Sequence, residues 1–236
     1  MHHHSNNTTN CGLQFLDISK CPSLTSFPRG RFFSTLKSIR ICDCAQLQPI
    51  LEEMFHRNNN ALEVLSIRGY PNLKTIPDCL YNLKDLTIRQ CENLELQPHQ
   101  LQSLTSLTSL HIYDCKKMKL SEWGLARLTS LKTLTISDYH HHHQPLLLPA
   151  TLLNLRISRF ENLESLAFLS LQRLTSLETL NISGCRKLQS FLPREGLSET
   201  LSALFIEDCP LLSQRCSKEN GQDWRNIAHI PYVQIR

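Results

Sequence analysis

The sequence is poor in the residues that build nucleotide and catalytic sites. It has only seven glycines, and they form neither of the phosphate-binding loops G-x-x-x-x-G-K-[ST] and G-x-G-x-x-G. The metalloprotease sequence H-E-x-x-H and the serine-hydrolase sequence G-x-S-x-G are also absent. Scattered acidic residues such as Asp17, Glu63 and Glu207 are typical of a solvated surface. We therefore expect this chain not to be an enzyme and to hold no cofactor.

Long apolar runs and a strong charge imbalance are missing as well. The chain has no stretch of 18 apolar residues, which a transmembrane helix would require, and no charged-then-apolar leader opens it. The formal net charge of +4 and the pI of about 8.5 fall short of the basic patch that nucleic acid requires. We expect neither a membrane nor a nucleic-acid partner.

Cysteine is present, but the spacing of the cysteines does not indicate disulfide or metal-binding pairs. The ten cysteines include no C-x-x-C, and their spacings suit neither a zinc site nor a disulfide framework. Regular unpaired thiols favour a reducing compartment. The sequence therefore predicts a cytoplasmic protein.

Leucine dominates the chain, with 43 of 236 residues, and it recurs in a fixed pattern. Nine copies of one pattern, Leu-x-x-Leu-x-Ile-x-x-Cys-x-x-Leu in idealised form, follow one another at intervals of 21 to 26 residues. They begin at Leu13, Leu36, Leu62, Leu83, Leu107, Leu131, Leu152, Leu177 and Leu201. Intervals of 20–29 residues are typical of leucine-rich repeats, and a unit this short must stack on its neighbours to bury its apolar face.

The pattern within each copy predicts the fold. Apolar residues at the fourth and sixth positions alternate with polar ones, which indicates a short strand buried on one face. We predict an α/β solenoid, a leucine-rich-repeat horseshoe with one continuous parallel sheet on the concave face. Loops and short helical turns should form the convex face, with turns expected at Ile50–Arg57, Leu101–Leu104, Leu125–Leu128 and Leu171–Leu174.

The ninth position and the two ends of the chain complete the domain prediction. Six copies carry cysteine at the ninth position, as a small buried group, whereas Tyr70, Tyr139 and Phe160 should widen the coil locally. Residues 1–10 are expected to be disordered or part of an inter-repeat segment. Residues 11–216 form the predicted nine-repeat domain. Residues 217–236 break the repeat and are expected to cap it through Trp224, Ile227, Ile230 and Tyr232.

Stacked copies place the polar strand positions in columns. One column follows each Ile and another lies between each Leu and Ile, and both should face solvent. Basic and aromatic residues converge in these columns, mainly in copies two to five, and they are typical of interface anchors. We predict protein binding at Arg40, Arg68, Arg89, His111, Tyr113 and Arg156.

Four consecutive histidines, His140–His143, interrupt the sixth copy. A metal site is one interpretation. Consecutive positions cannot all face one ion without a wrapping loop, and no nearby cysteine or carboxylate cluster completes a site. An irregular solvated loop is the favoured interpretation, and we assign no metal ligands.

The cysteine-bearing repeats resemble the C-terminal region of plant coiled-coil-type nucleotide-binding leucine-rich-repeat disease-resistance proteins. Two segments sharpen the resemblance, LSEWGLARLTSL at 120–131 and CPLLSQRCSKENGQDWRNIAHIPYVQIR at 209–236. The resemblance implies a region of an intracellular immune receptor that recognises a pathogen effector or a host target protein and assists autoinhibition. It also implies an upstream nucleotide-binding domain as a partner, with ADP or ATP bound only in that domain.

Two other classes of protein remain as alternatives. The substrate-recognition array of an F-box ubiquitin-ligase adaptor also uses cysteine-containing repeats, but more regular repeat lengths are expected there. The ectodomain of a cell-surface receptor should show capping cysteine pairs, many glycosylation sites and Gly-x-Ile-Pro returns, none of which is evident.

Overall fold

A computed structural model describes residues 12–26, 35–47, 61–95, 97, 100–101, 103–115, 117–138, 145–190 and 197–236. Within them, ten strands form a single parallel sheet in which each strand pairs with the next along the chain. The strands are β1 Phe15–Ser19, β2 Ser38–Cys42, β3 Val64–Arg68, β4 Asp85–Arg89, β5 Ser109–Tyr113, β6 Thr133–Ser137, β7 Asn154–Ser158, β8 Thr179–Ser183, β9 Ala203–Glu207 and β10 Tyr232–Ile235. The predicted solenoid is confirmed.

The register of the sheet repeats the sequence pattern. Every fourth-position residue pairs with the fourth-position residue of the next copy, and every sixth-position Ile pairs with the next Ile. From β2 to β9 these inward side chains are at most 2% exposed, and they form one continuous core. The register also holds between β6 and β7, on either side of the histidine run, which itself lies outside the described residues.

A left-handed residue ends the strand segment of every copy from β1 to β9. The eighth position has positive φ in all nine, with glycine in two of them, Gly69 and Gly184. This turn lets the eighth amide donate to the seventh-position carbonyl of the next coil, as from Gly69 to Arg89 and from Gln90 to Tyr113, both at 2.9 Å. The hydrogen-bond ladder between coils therefore continues one residue past the strands.

After β2 to β9, the described ninth-position residues are buried whether they hold sulfur or an aromatic ring, whereas Cys21 after β1 is only partly buried. Cysteine thiols there donate to the seventh-position carbonyl of their own coil, for example Cys44 Sγ to Cys42 O at 3.3 Å. Tyr70 and Phe160 are 0% and 1% exposed. The predicted widening is wrong at these two copies, because the ladder bonds beside them stay at 2.8–3.0 Å. The rings extend into the core, where Phe160 lies 6.2 Å from the ring of Phe168. Tyr139 lies outside the described residues.

The return segments vary from copy to copy. Two of the predicted turns are confirmed as 3-10 helices, Leu125–Arg127 and Leu171–Arg173. Two further 3-10 helices cover Leu120–Glu122 and Ala167–Leu169. The segment Ile50–Arg57 and part of Leu101–Leu104 lie outside the described residues. Each return has only to supply buried leucines, and several local geometries satisfy that requirement.

The C-terminal segment contains a strand that the repeat pattern did not predict. Helices α1 (Pro210–Arg215) and α2 (Trp224–Ile227) precede β10, which pairs with β9 in parallel. The count of nine copies was therefore one strand short. Ile230, Val233 and Ile235 repeat the Leu-x-x-Leu-x-Ile spacing, so the pattern was present with other apolar residues. Ile227 and Ile230 are buried, whereas Tyr232 is 52% exposed.

Candidate functional site

The outward face of the sheet brings the predicted binding residues onto one surface. We call the column between each buried Leu and Ile the middle row, and the column after each Ile the trailing row. The middle row contains Asp17, Arg40, Ser66, Thr87, His111, Thr135, Arg156, Asn181, Phe205 and Gln234. The trailing row contains Ser19, Cys42, Arg68, Arg89, Tyr113, Ser137, Ser158, Ser183 and Glu207.

Three of the predicted residues form a run along the trailing row. Arg68 pairs in register with Arg89, and Arg89 pairs with Tyr113. The guanidinium carbon of Arg89 lies 5.7 Å from the centre of the Tyr113 ring, within the range of a cation–π contact. The Nε atom of Arg68 lies 3.9 Å from Oδ1 of Asp43, and both side chains are nearly half exposed. Solvent screening makes that ion pair weak, so Arg68 stays available to a ligand.

His111 is held by its neighbours on the face. Its Nδ1 atom is 2.9 Å from the hydroxyl of Thr135 on β6. Its Nε2 atom is 4.0 Å from Oδ2 of Asp85 on β4, a contact that becomes an ion pair only when the ring is protonated. Groups on the two neighbouring strands therefore flank the ring, Asp85 on β4 and Thr135 on β6.

Arg40 and Arg156 are both exposed but lie apart. Arg40 is on β2, where the hydrogen bond with Cys42 and then the charge of Asp17 raise its pKa above the ordinary arginine value. Arg156 is on β7, two strands beyond His111, or about 10 Å at the usual strand spacing. The structure thus groups Arg40, Arg68, Arg89, His111 and Tyr113 across β2–β5, which we call the basic cluster, and leaves Arg156 beside it.

Not every outward side chain reaches water, contrary to the prediction for these columns. Cys42, Thr135 and Ser137 are 8%, 4% and 1% exposed. Longer neighbours contact the short side chains on β6: His111 reaches Thr135, and Arg159 donates to the Ser137 hydroxyl at 3.3 Å. Arg159 also pairs with Asp138 at 2.8 Å.

A groove of about 1040 Å³ runs along the trailing edge of the later strands. Its lining includes Asp138, Arg159, Arg186, Asp208 and Arg236. Charges of both signs line it, and Arg159 already pairs with Asp138. The groove therefore does not favour a ligand of either charge.

The buried thiols of Cys91 and Cys115 are not suited to nucleophilic chemistry. Burial raises the pKa of Cys91 to about 12 and that of Cys115 to about 11. A thiol must ionise to attack an electrophile or bind a metal, so these groups are inert near neutral pH. Among the described residues, no three His, Cys, Asp or Glu side chains are grouped so as to hold a metal.

Sequence reasoning missed an aromatic pair at the far end of the same face. The ring of Phe205 lies 5.5 Å from that of Tyr232 on β10. Phe205 stood out as the apolar residue in the middle row, but its neighbour depends on a strand that had not been recognised.

Comparison with known proteins identifies the repeats. A family model described as leucine-rich repeats of RPS2-like plant disease resistance proteins matches residues 65–210. A protein of Arabidopsis thaliana named for disease resistance, At3g14460, is 32% identical over 94% of this chain. The chain spans 18% of that protein's length.

Solved structures match the chain at lower sequence identity, and the TLR13 structure shares its fold. TLR13, in its complex with the RNA ssRNA13, matches 84% of this chain and 33% of its own, with a TM-score of 0.57 and 20% identity. A leucine-rich-repeat protein of Leptospira interrogans matches 93% of this chain and 65% of its own, with a TM-score of 0.48 and 14% identity. Within the described residues, no helix has the length and apolar character needed to span a membrane.

Proposed function

This chain belongs to the RPS2-like family of plant disease resistance leucine-rich repeats, and from that premise we propose that it is the recognition region of a plant immune receptor. It acts by binding protein and carries out no reaction. Its ligand is a pathogen effector or a host target of one. The whole receptor is a nucleotide-binding leucine-rich-repeat protein, and ADP or ATP binds outside this chain.

The observation that carries the proposal is the convergence of Arg68, Arg89 and Tyr113 on adjacent strands. Arginine and tyrosine are enriched at the energetically dominant positions of protein interfaces. The arginines also attract acidic groups, which raises the rate of encounter with an acidic partner. We therefore propose an acidic protein surface as the ligand of the basic cluster, with Arg156 as a flanking contact.

A protein ligand is favoured over nucleic acid by the charges on the same face. Asp85 lies beside His111, and Glu207 ends the trailing row. A phosphate backbone needs many basic contacts without such interruptions, because counterion release from several phosphates supplies most of its affinity. The RNA in the TLR13 complex belongs to a protein that shares only the fold.

Two further parts of the proposal concern location and inhibition. Nine cysteines in the described part of the chain are free thiols, and most are buried, as suits a reducing compartment. We propose that the receptor is cytoplasmic. We also propose that the repeats contact the upstream nucleotide-binding domain and help to hold it inactive until the ligand binds.

The test reverses the charge of two arginines in the full receptor. Arg68→Glu with Arg89→Glu should abolish the cell-death response to pathogens that the parent receptor recognises, with protein abundance unchanged. A matched control, Arg127→Glu with Arg173→Glu, reverses two exposed arginines on the return side and should keep the response. A full response from the first variant would contradict the proposed contact surface.

A further inference from the structure

The proposed function does not use an aromatic pair on the outward face, at the far end from the basic cluster. Phe205 is the single apolar residue of the described middle row, and Tyr232 is 52% exposed beside it. Their rings are in contact, at 5.5 Å between centroids. Aromatic side chains supply large contact area at small entropic cost, and they act as interface anchors when they line a shared surface.

The pair lies at a defined distance from the basic cluster. From β3, which carries Arg68, to β9, which carries Phe205, there are six strand intervals in one unbroken register. At about 4.8 Å per interval, the two sites are about 29 Å apart. Between the two sites, most outward side chains of β6 to β8 are short and uncharged, such as Thr135 and Ser183. Arg156 is the exception, and its long, exposed side chain can lie alongside a ligand that touches both ends.

The width of the face suits a helix. Strands β1–β9 have five residues each, or about 16 Å along the strand. An α-helix with its side chains is about 10–12 Å in diameter. A helix that crosses the strands along the rows would cover these short side chains. About 19 residues at 1.5 Å per residue would span the distance from the basic cluster to the aromatic pair.

We propose that the outward face is a two-ended docking surface for one helical segment of the partner protein. Acidic side chains of that helix contact Arg68 and Arg89, and an apolar side chain about 19 residues away packs on Phe205 and Tyr232. The inference rests on the proposed function, because it uses the same face and the same arginines. It adds that recognition depends on spacing as well as on charge.

The experiment selects helices that bind the chain from random sequences and then asks which side chains the selected helices share. A displayed library of random helices of about 24 residues, long enough to join the two ends, is selected for binding to the full 236-residue chain. We expect enriched sequences with acidic residues near one end and an aromatic residue or leucine near the other. Shortening the spacer by about eight residues, while both ends are kept, should weaken binding at least about tenfold.

Two variants of the chain separate the two ends. Phe205→Ser with Tyr232→Ser should weaken the selected helices at least about tenfold, as should Arg68→Glu with Arg89→Glu. The control, Phe205→Tyr with Tyr232→Phe, keeps both rings and should retain binding. All variants should melt within a few degrees of the parent.

The remaining outcomes decide against the inference in different ways. If only the arginine variant weakened binding of the selected helices, the two-ended surface would be overturned and the proposed function would stand. Helices that respond to neither variant would count against both. Failure to enrich any helix would overturn the inference. It would also be overturned if the chain alone sedimented as a dimer and the Phe205→Ser with Tyr232→Ser variant sedimented as a monomer. That result would show that the aromatic pair binds a second copy of the chain.

Discussion

Inward and outward side chains alternate along the same strands of this sheet, yet they differ in how they tolerate change. Inward positions from β2 to β9 are Leu or Ile and at most 2% exposed. Outward positions include arginine, serine, tyrosine, histidine and phenylalanine, and most are at least partly exposed. One face is constrained by packing with the coils on either side, whereas the other has only to remain compatible with a strand. The repeat can therefore vary its binding surface without altering its core.

The largest effect should come from a charge on the inward face. Leu134 is fully buried in the central strand β6, so Leu134→Asp places an unpaired carboxylate in the core. We expect a loss of about 4 kcal/mol or more in unfolding free energy. Thr133→Asp, one residue earlier and facing outward, should cost about 1 kcal/mol or less. Chemical denaturation followed by circular dichroism distinguishes the two, and equal losses would remove the difference between the faces.

The turn at the strand end should be the next most sensitive place. Gly184 has a φ of +65°, and a Cβ there would lie 3.2 Å from Cγ of Arg159. We expect Gly184→Val to cost about 2 kcal/mol, from left-handed strain and crowding. Asp114 occupies the equivalent position with a φ of +49°. Asp114→Gly should leave the midpoint of the denaturant curve unchanged or raise it, and a fall as large as that of Gly184→Val would show that backbone conformation is not the cause.

Raising the pH tests the inward thiols. Because the pKa values of Cys91 and Cys115 are raised in the folded state, the unfolded chain loses these protons first. The stability that the two protonated thiols contribute to the folded state is fully present below pH 9, the ordinary thiol pKa. It is lost as the pH rises towards 11–12. By about pH 10 each thiol should lower stability by about 1 kcal/mol.

Lysine and tyrosine also titrate in this range, so the readout is a difference. Cys91→Ala with Cys115→Ala should lose less stability between about pH 8 and pH 10 than the parent, whatever its starting stability. Parallel declines in parent and variant would show that the two thiols ionise equally in both states.

The smallest effect should come from removing a contact on the outward face. Arg89→Ala deletes the cation–π contact with Tyr113, which at an exposed site is worth about 0.5 kcal/mol. The melting temperature should fall by about 2 °C or less. A fall comparable to that of Gly184→Val would mean that the outward face helps to hold the fold, and its residues would then be less free to vary for binding.

The inward stripe and the order of the outward rows followed from the sequence, because alternation with a period of two sets both the buried face and the register. Strand β10 did not, since Val233 stands where leucine was sought and helices α1 and α2 separate it from β9. The left-handed residues were hidden for another reason. Lys20, Gln90 and Arg159 are not residues that favour this conformation, and stacking imposes it on them.

The candidate site was predictable in its membership but not in its contacts. Register alone placed Arg68, Arg89 and Tyr113 side by side. The ring contacts of Tyr113 and Phe205 and the link from His111 to Thr135 depend on side-chain conformers that several strands fix together. Periodicity carries no information about those conformers, which is why Thr135 and Ser137 were expected to reach solvent.

The alternation of faces can be measured directly by introducing cysteine at each position of β3 in turn. Val64→Cys, Ser66→Cys and Arg68→Cys should react rapidly with iodoacetamide in the native protein, whereas Leu65→Cys and Ile67→Cys should react only on unfolding. Peptide mass spectrometry separates these sites from the native thiols. Slow, fast and slow labelling at Leu65, Ser66 and Ile67 is the predicted result, and equal rates at all three positions would contradict a sheet with one buried and one open face.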